Sequence, residues 1–370
     1  MRCLRQLSII CVASVLSLVG GVAVSACGQP PAPPPPAAPA IVPPTTGGPR
    51  LFISDETGGA IIVIDPSTRQ MIGRISVGKR PRGLRLSHDG TQLFVALSGS
   101  PIAGPGVDES KLPPPDRSSD GIGVLDLATG TLSRVLKSGQ DPESFDLSPD
   151  GARLYVSNED AAEMSVVDTA TGTVESRVKV GEEPEGVTMR PGGREVYVTC
   201  EADGEVVVIE IATGKIAARL KSGFRPRAVA FTADGATAFI TNELDASVTV
   251  VDAVRHRISS QIRLPKLAGA TVPPRPMGAT ISPDGSLLFV SLGRAQSIAV
   301  IDVKARKLVR TIDNVGGRPW GITIAPDGKT IYTANGPSGD VSIIDVASGT
   351  VTARVGTGGS PWGAIFAAGR

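Results

Sequence analysis

The chain of 370 residues has only two histidines, His88 and His256, and aromatic residues make up 4% of it. No Cys-x-x-Cys-His motif is present, which excludes covalently attached haem. The formal net charge is +1 without any basic block, which argues against a nucleic acid partner. No glycine-rich phosphate motif follows a strand pattern. What is abundant is Gly and Pro, 44 and 31 residues, a composition typical of many tight turns.

The first 26 residues have the pattern of an export signal. Arg2 and Arg5 precede an apolar run that ends in Val24-Ser25-Ala26-Cys27, and these small residues before Cys27 resemble a bacterial lipobox. We therefore expect a lipidated Cys27 that holds the chain on the periplasmic or cell-surface side of a bacterial membrane. The residue after Cys27 is Gly28 rather than the Asp that serves as a retention signal, which favours the outer membrane in a cell with two membranes. Ordinary signal-peptidase cleavage near Ala26 is the alternative.

Residues 27–49 are interpreted as a tether. Ten of the 22 residues from Gly28 to Pro49 are Pro, a composition that favours extended polyproline II at about 3.1 Å per residue. Cys3 and Cys11 belong to the export signal, so Cys200 is the one thiol expected in the folded part. One thiol cannot form an intramolecular disulfide.

A repeated Gly-x-x-Pro phrase organises residues 50–370. Six copies start at Gly78, Gly139, Gly181, Gly223, Gly316 and Gly358, and Pro273–Pro276 fills the seventh place. Repeat units of about 40 residues that contain short runs of alternating apolar and polar residues are typical of β-propeller blades. The sequence predicts an all-β fold, a seven-bladed β-propeller with four antiparallel strands in each blade.

Each unit also carries a hairpin turn such as Pro326-Asp327-Gly328 and an acid after its third strand, as in Asp168-Thr169-Ala170-Thr171-Gly172. That acid is interpreted as a turn cap rather than a catalytic group. The repeat region begins with a strand that matches the second strand of the other units, Leu51–Ser54. It ends with a strand that matches the first strand of those units, Trp362–Phe366. The two ends are therefore predicted to share the closing blade, which removes the open sheet edges.

The segments Tyr155-Val156-Ser157-Asn158 and Val166-Val167-Asp168-Thr169-Ala170-Thr171-Gly172 resemble the YVTN-type propeller repeat of exported bacterial proteins, of the YncE-like kind. A narrower resemblance, to propellers associated with PQQ-dependent alcohol catabolism, rests on Asp141-Pro142-Glu143, Asn158-Glu159-Asp160, Glu183-Pro184-Glu185-Gly186, Arg225-Pro226-Arg227 and Pro361-Trp362-Gly363. It implies an accessory role beside a quinoprotein oxidation system and brings no catalytic residues with it.

The residue after each phrase Pro begins an innermost strand, so these residues are predicted to ring one mouth of the central channel. The seven are Arg82, Glu143, Glu185, Arg227, Met277, Trp320 and Trp362. One arc of the ring is charged and the other is apolar and aromatic, which is typical of a small-ligand or partner-peptide site. The alternative is that Arg and Glu pair around the rim and the Trp rings plug the channel.

The ends of the second strands are expected on the same face, where their oxygens suit a hard cation such as Ca²⁺. The candidate ligands are Glu56, Asn158, Glu159, Glu201, Asn242 and Glu243. As strand-end residues, Asn and Asp are also common turn formers. Two insertions, residues 98–121 and 264–276, are predicted on this face, which is the surface expected to meet a periplasmic partner or small ligand.

Three functions follow from these observations. The leading one is a non-enzymatic, lipid-anchored binding or scaffold protein, with an accessory role in PQQ-linked alcohol oxidation taken from the resemblance alone. The alternative is a hydrolase of the propeller lactonase kind, in which a channel cation and a carboxylate activate water. The third is direct capture of a planar quinone stacked on Trp320 and Trp362. His88 and His256 are both expected on the opposite face, which leaves no histidine for a Ser-His-Asp triad.

Overall fold

A computed structural model describes residues 48–102, 111–267 and 271–369, and the predicted export signal, Cys27 and most of the tether lie outside these residues. The described chain forms seven four-stranded antiparallel sheets, which confirms the seven-bladed propeller. The helical elements found there are short 3-10 turns such as Arg117–Ser119, Glu159–Ala161 and Gly293–Ala295. None of the described helices is long and apolar enough to cross a membrane.

Blades are numbered from the first complete repeat, and each begins with its innermost strand. Blade 1 contains β4 (Leu84–Leu86), β5 (Gln92–Leu97), β6 (Gly121–Asp126) and β7 (Thr131–Leu136). Blade 2 contains β8 (Pro142–Leu147), β9 (Arg153–Asn158), β10 (Glu163–Asp168) and β11 (Val174–Lys179). Blade 3 contains β12 (Pro184–Met189), β13 (Glu195–Cys200), β14 (Glu205–Glu210) and β15 (Lys215–Lys221). Blade 4 contains β16 (Pro226–Phe231), β17 (Thr237–Asn242), β18 (Ser247–Asp252) and β19 (Arg257–Arg263).

The remaining blades include the predicted closure. Blade 5 contains β20 (Ala279–Ile281), β21 (Leu287–Ser291), β22 (Ile298–Asp302) and β23 (Lys307–Ile312). Blade 6 contains β24 (Pro319–Ile324), β25 (Thr330–Asn335), β26 (Asp340–Asp345) and β27 (Thr350–Gly356). Blade 7 combines β28 (Pro361–Ala367) with β1 (Arg50–Asp55), β2 (Ala60–Asp65) and β3 (Gln70–Ser76). Pairing of β28 with β1 confirms that both ends of the repeat share one blade.

The hydrophobic core lies between neighbouring blades rather than inside one of them. The second and third strands of each blade are buried almost throughout, because both of their faces meet another blade. Between blades 6 and 7, Leu51 and Ile53 pack with Tyr332 in one apolar cluster. Fourth strands such as β11 are largely exposed, so burial falls from the channel outward.

The acids after the third strands cap turns, as predicted. The Asp168 carboxylate accepts hydrogen bonds from the Ala170 and Thr171 backbone amides at 3.0 and 2.7 Å, and the Thr171 bonds hold the pKa of Asp168 below its usual value. The same bonding recurs at Asp65, Asp126, Asp252, Asp302 and Asp345. These carboxylates are structural.

The Gly of the repeated phrase has a packing role. A Cβ at Gly139, Gly223 or Gly316 would collide with the side chain of Asn158, Asn242 or Asn335 respectively. Gly223 also has a φ of 152°, a conformation that L side chains rarely adopt. The phrase therefore lies directly against the end of the second strand in its own blade.

Candidate active site

The predicted ring exists, with one exception. A cavity of about 180 Å³ lies at the centre of the seven blades, bordered by the first strands of all of them. Six ring residues line it, namely Glu143, Glu185, Arg227, Met277, Trp320 and Trp362. Arg82 does not line this cavity, because its side chain is 1% exposed and turns toward blade 2. The expectation that all seven side chains face the channel is corrected at this position.

Hydroxyl groups fix the backbone of the ring to the preceding blade. Ser157 Oγ donates a hydrogen bond to the Glu185 carbonyl oxygen at 2.7 Å. Equivalent bonds at 2.7 to 3.0 Å join Ser54 to Arg82, Thr199 to Arg227, Thr241 to Met277 and Ser291 to Trp320. Buried hydrogen bonds of this kind hold the ring positions rigidly, which a site for catalysis or binding requires.

A second set of charged residues lies directly before the phrase prolines. Arg80, Asp141, Glu183, Arg225 and Arg318 all have left-handed backbone, with φ between 42° and 54°. Such a conformation costs a non-glycine residue on the order of 1–2 kcal/mol, and strained residues tend to cluster at functional sites. The charged residue directly before the Pro is visible in the sequence, but the predicted ring included only the residue after the Pro.

Arg82 is buried among acids of blade 2. Its guanidinium forms ion pairs with Asp141 and Glu143, and it donates a further hydrogen bond to the Pro142 carbonyl oxygen at 3.2 Å. Burial raises the pKa of Asp141, but the Arg82 charge, the Arg80 charge and hydrogen bonds from Ser98 and Ser100 together hold it below its usual value. These ion pairs offset the cost of burying the charges, while Arg82 Nε and Glu143 Oε2 are buried without a hydrogen-bond partner among the described residues.

Arg227 is the centre of a second network in blades 3 and 4. Its guanidinium pairs with Glu185, Glu201 and Glu243, and Arg225 also pairs with Glu201. Burial raises the pKa of Glu243, but the charge and hydrogen bond of Arg227, with the charges of Arg225 and Arg318, together keep it below its usual value. On this arc the structure therefore agrees with the alternative that Arg and Glu pair around the rim.

Glu159 differs from the other mouth acids. Its Oε2 is 3.7 Å from Arg82 Nη1, outside hydrogen-bond distance, and no described residue donates a hydrogen bond to its carboxylate. Burial raises the pKa of Glu159 to about 7, and the neighbouring carboxylates of Asp141 and Glu185 contribute while Arg82 opposes them. A half-buried carboxyl with this pKa is suited to accept a proton near neutral pH.

The six predicted metal ligands are not brought together. Glu56 pairs with Arg80 at 3.1 Å, and Glu201 and Glu243 pair with Arg227. The Asn158 and Asn242 amides donate hydrogen bonds to hydroxyl groups of their own blades, Ser165 and Thr249. Over the described ranges, no three acidic, His or Cys side chains are placed to hold a metal ion. The donor set does not fit Ca²⁺, because guanidinium groups already pair with the carboxylates of Glu56, Glu201 and Glu243.

The first insertion borders the mouth. A cavity of about 380 Å³ is lined by Pro113, Pro114 and Pro115 of the insertion and by Glu159, Glu185 and Arg225 from blades 2 to 4. Its size is in the range of small-ligand sites. Glu159 therefore lies where a small molecule entering under the insertion would meet it.

The two histidines are remote from this mouth. His88 contacts the Ser148 carbonyl oxygen at 2.8 Å in a hairpin turn. His256 lies between Tyr197 and Glu195, at 3.2 and 3.1 Å. Cys200 is buried, and burial raises the pKa of its thiol to about 12. None of these three side chains lines the ring cavity or the mouth cavity.

Fold and site together define a seven-bladed propeller with a charged, small-molecule-sized mouth on its central channel. A family profile described as "Lactonase, 7-bladed beta-propeller" matches residues 187–357, from within blade 3 to the end of blade 6. The matched stretch includes Glu201, Arg227 and Trp320 but not Glu159. No match was found among functionally curated proteins.

Several solved structures share the fold. A putative 6-phosphogluconolactonase from Bacteroides fragilis is 16% identical over 87% of this chain and 98% of its own, with a TM-score of 0.68. A putative 6-phosphogluconolactonase from Bacteroides uniformis is 17% identical over 87% and 100%, with a TM-score of 0.66. A chain of Kuenenia stuttgartiensis hydrazine synthase is 21% identical over 80% and 92%, with a TM-score of 0.69. At these identities the likeness establishes the fold alone.

The comparisons correct one sequence-based expectation. The prediction of a non-enzymatic protein is wrong, because the lactonase family match and the putative 6-phosphogluconolactonases among the structural relatives favour a hydrolase. No comparison bears on the resemblance to YVTN-type and PQQ-associated propellers, which stays a prediction. The predicted partner surface likewise stays a prediction.

Proposed function

We propose that this protein is a propeller hydrolase that opens lactones, with Glu159 as the general base. The observation that carries the proposal is the Glu159 carboxyl itself, half-buried at the mouth without a hydrogen-bonded cation and with its pKa raised to about 7. The family match supports the reaction class, and the geometry supports the residue. The proposal departs from the sequence-based alternative in one respect: no step is assigned to a cation.

The reaction is ordinary ester hydrolysis. The Glu159 carboxylate takes a proton from a water molecule, whose oxygen forms a bond to the lactone carbonyl carbon. Arg225, whose guanidinium is partly exposed and lines the same cavity, offsets the negative charge that develops on the carbonyl oxygen. The ring C–O bond then breaks, and protonated Glu159 returns the proton to the departing alkoxide. Lactone and water give one hydroxy acid.

The surroundings favour this chemistry. The insertion prolines line the same cavity as Glu159 and give it an apolar wall. Ion pairs join Arg82 to Asp141 and Glu143, and they hold the side chains beside Glu159 in fixed positions. The other mouth acids are paired with guanidinium groups, which leaves Glu159 as the carboxylate best suited to move a proton.

A panel of five- and six-membered lactones, followed by pH-stat titration, tests the proposal. We expect the wild-type protein to hydrolyse at least one panel member well above the buffer rate, because a positioned base contributes on the order of 10²–10⁴-fold. The control is Glu175→Gln, which removes an exposed carboxylate paired with Arg153 on β11 and should keep the full rate. Wild-type rates equal to buffer across the whole panel would contradict the proposal.

We also propose that the hydrolase is lipid-anchored through Cys27, on the strength of the lipobox pattern in the sequence. Expressed in a bacterium that receives labelled palmitate, the wild-type chain should carry label and Cys27→Ser should carry none. Cys200→Ser is the matched control and should stay labelled, since that thiol is buried in the propeller. Undiminished labelling of Cys27→Ser would exclude lipidation at this cysteine.

A further inference from the structure

The first insertion is joined to blade 2 by charged side chains at the mouth. Arg117, in the 3-10 turn Arg117–Ser119, places its Nη2 atom 2.5 Å from Asp160 Oδ2. Ser100, near the start of the same insertion, donates a hydrogen bond to that oxygen at 3.3 Å and accepts one from Arg117 Nη1 at 3.2 Å. The insertion therefore holds the Asp160 side chain from two points.

Asp160 directly follows Glu159 in the 3-10 turn Glu159–Ala161. This turn continues from β9, and the Glu159 backbone amide donates a hydrogen bond to the Asp141 carbonyl oxygen at 2.9 Å. Glu159 and Asp160 both line the mouth cavity. In a turn of only three residues, a contact that fixes one side chain also limits the movement of its neighbour. The ion pair with Arg117 thus bears on the position of Glu159.

A second series of contacts leads from Arg117 to Glu159 through a buried aspartate. The Asp120 carboxylate accepts hydrogen bonds from Arg117 Nη1 and from the Asp141 backbone amide, both at 3.2 Å. The Asp141 side chain in turn pairs with Arg82, whose guanidinium is 3.7 Å from Glu159 Oε2. Arg117 therefore contacts residues on both sides of the Glu159 carboxyl.

The Glu159 carboxyl lies among charged groups from several blades. Those that approach it or line the same cavity are Arg80, Arg82, Asp141, Glu143, Asp160, Glu185, Glu201, Arg225 and Arg227. Burial raises the pKa of Glu159 most, and the Asp160 carboxylate raises it further. The Arg117 guanidinium lies directly beside Asp160, so its positive charge offsets the effect of that carboxylate on Glu159.

We propose that Arg117 is a positioning residue for Glu159: its ion pair with Asp160 holds the turn that carries Glu159 and balances the charge beside the Glu159 carboxyl. Arg117 is not among the described residues that line the mouth cavity, so it acts through Asp160 and Asp120 rather than on the lactone. The proposal rests on the proposed function of Glu159 as the general base. It gives the first insertion a role in setting the pH at which that base is ionised.

Carboxyl titration by ¹³C nuclear magnetic resonance tests this role without any substrate. In protein with labelled glutamate, the Glu159 signal is the one lost in Glu159→Gln, and in the wild type it should titrate near pH 7. Arg117→Gln should raise the midpoint by roughly 0.5 pH unit or more, because the Asp160 charge is no longer balanced. Asp160→Asn should lower it by a similar amount, because the Arg117 charge is then unbalanced. The double variant should titrate close to the wild type.

Two further variants separate charge from simple stabilisation. Arg117→Lys keeps the positive charge and should restore a midpoint close to that of the wild type. Arg134→Gln is the matched control, because Arg134 also joins blade 1 to blade 2 but donates its hydrogen bonds to the Thr169 and Ala170 carbonyl oxygens, in the turn after β10. It should leave the midpoint unchanged.

The direction of the shifts decides the outcome. Unchanged midpoints in Arg117→Gln and Asp160→Asn, or shifts of both in the same direction, would overturn the proposal, because a purely structural role of Arg117 predicts no opposite shifts. In each variant the inflection of kcat/KM for lactone opening should move with the Glu159 midpoint. Opposite shifts of the carboxyl signal in a protein that opens no lactone would sustain the effect of the ion pair on Glu159 while contradicting the proposed hydrolysis.

Discussion

Replacing Glu159 with Gln is expected to lower the kcat of lactone opening by roughly 10²–10⁴-fold, the contribution of a positioned general base. Gln has nearly the same size and keeps the strand end in place, but it cannot accept the proton of the attacking water. The substrate still meets Arg225 and the insertion prolines, so KM should change little. Steady-state kinetics in the pH-stat give both constants.

The same variant should be at least as stable as the wild type. The folded protein holds the Glu159 proton up to about pH 7, whereas the unfolded chain releases it near the usual value of 4.5, so the stability contributed by this group falls as the pH rises between the two. Gln does not ionise, so the variant does not lose this stability as the pH rises. We expect an equal or higher melting temperature for Glu159→Gln at about pH 8. A variant that is inactive because it is unfolded would be recognised by a lower melting temperature.

Deleting Pro361–Arg370 is expected to destabilise the whole ring. These residues include β28, which pairs with β1 and places Phe366 in a stacked contact with Tyr332, ring centres 5.8 Å apart. Without β28, the edge of β1 is left unpaired, the cluster between blades 6 and 7 loses Phe366, and the cluster between blades 7 and 1 loses Ile365. We expect a loss of roughly 5 kcal/mol and a melting temperature lower by about 10 °C or more.

Deleting only Ala368–Arg370 is the matched control for that truncation. Ala368 and Gly369 follow the strand and are exposed, so the melting temperature of this shorter deletion should stay within a few degrees of the full chain. Equal melting temperatures for the two truncations would mean that the closing strand contributes nothing. Calorimetry or circular dichroism measures both.

The repeat made the fold predictable. Gly-x-x-Pro phrases, Asp-Gly turns and the Asp168-type caps are local signals, and each is satisfied within its own blade. Blade closure was also predictable, because the first and last strands of the repeat are of complementary types. Local sequence patterns were enough to predict the fold because the same turn and cap motifs recur in each repeat unit.

The site was predictable only in position. Ring residues such as Glu185 and Trp320 were found by counting from the phrase prolines, but the direction of Arg82 was not, because its rotamer depends on Asp141 of the next blade. The pairing of the predicted metal ligands Glu201 and Glu243 with Arg227 could not be predicted for the same reason, because the sequence shows the carboxylates but not which guanidinium groups lie beside them. Glu159 was identified as a candidate ligand, but only the structure shows that its nearest guanidinium, that of Arg82, lies 3.7 Å away, beyond hydrogen-bond distance.

The dependence of kcat/KM on pH tests the central claim most directly, because it relates the raised pKa of Glu159 to the chemistry. The carboxylate is the active form, so kcat/KM for lactone opening should rise with pH and level off above an inflection near 7. In Glu159→Gln the residual rate should lose that inflection. A wild-type profile that is flat through neutral pH, or one whose inflection persists in Glu159→Gln, would contradict the account.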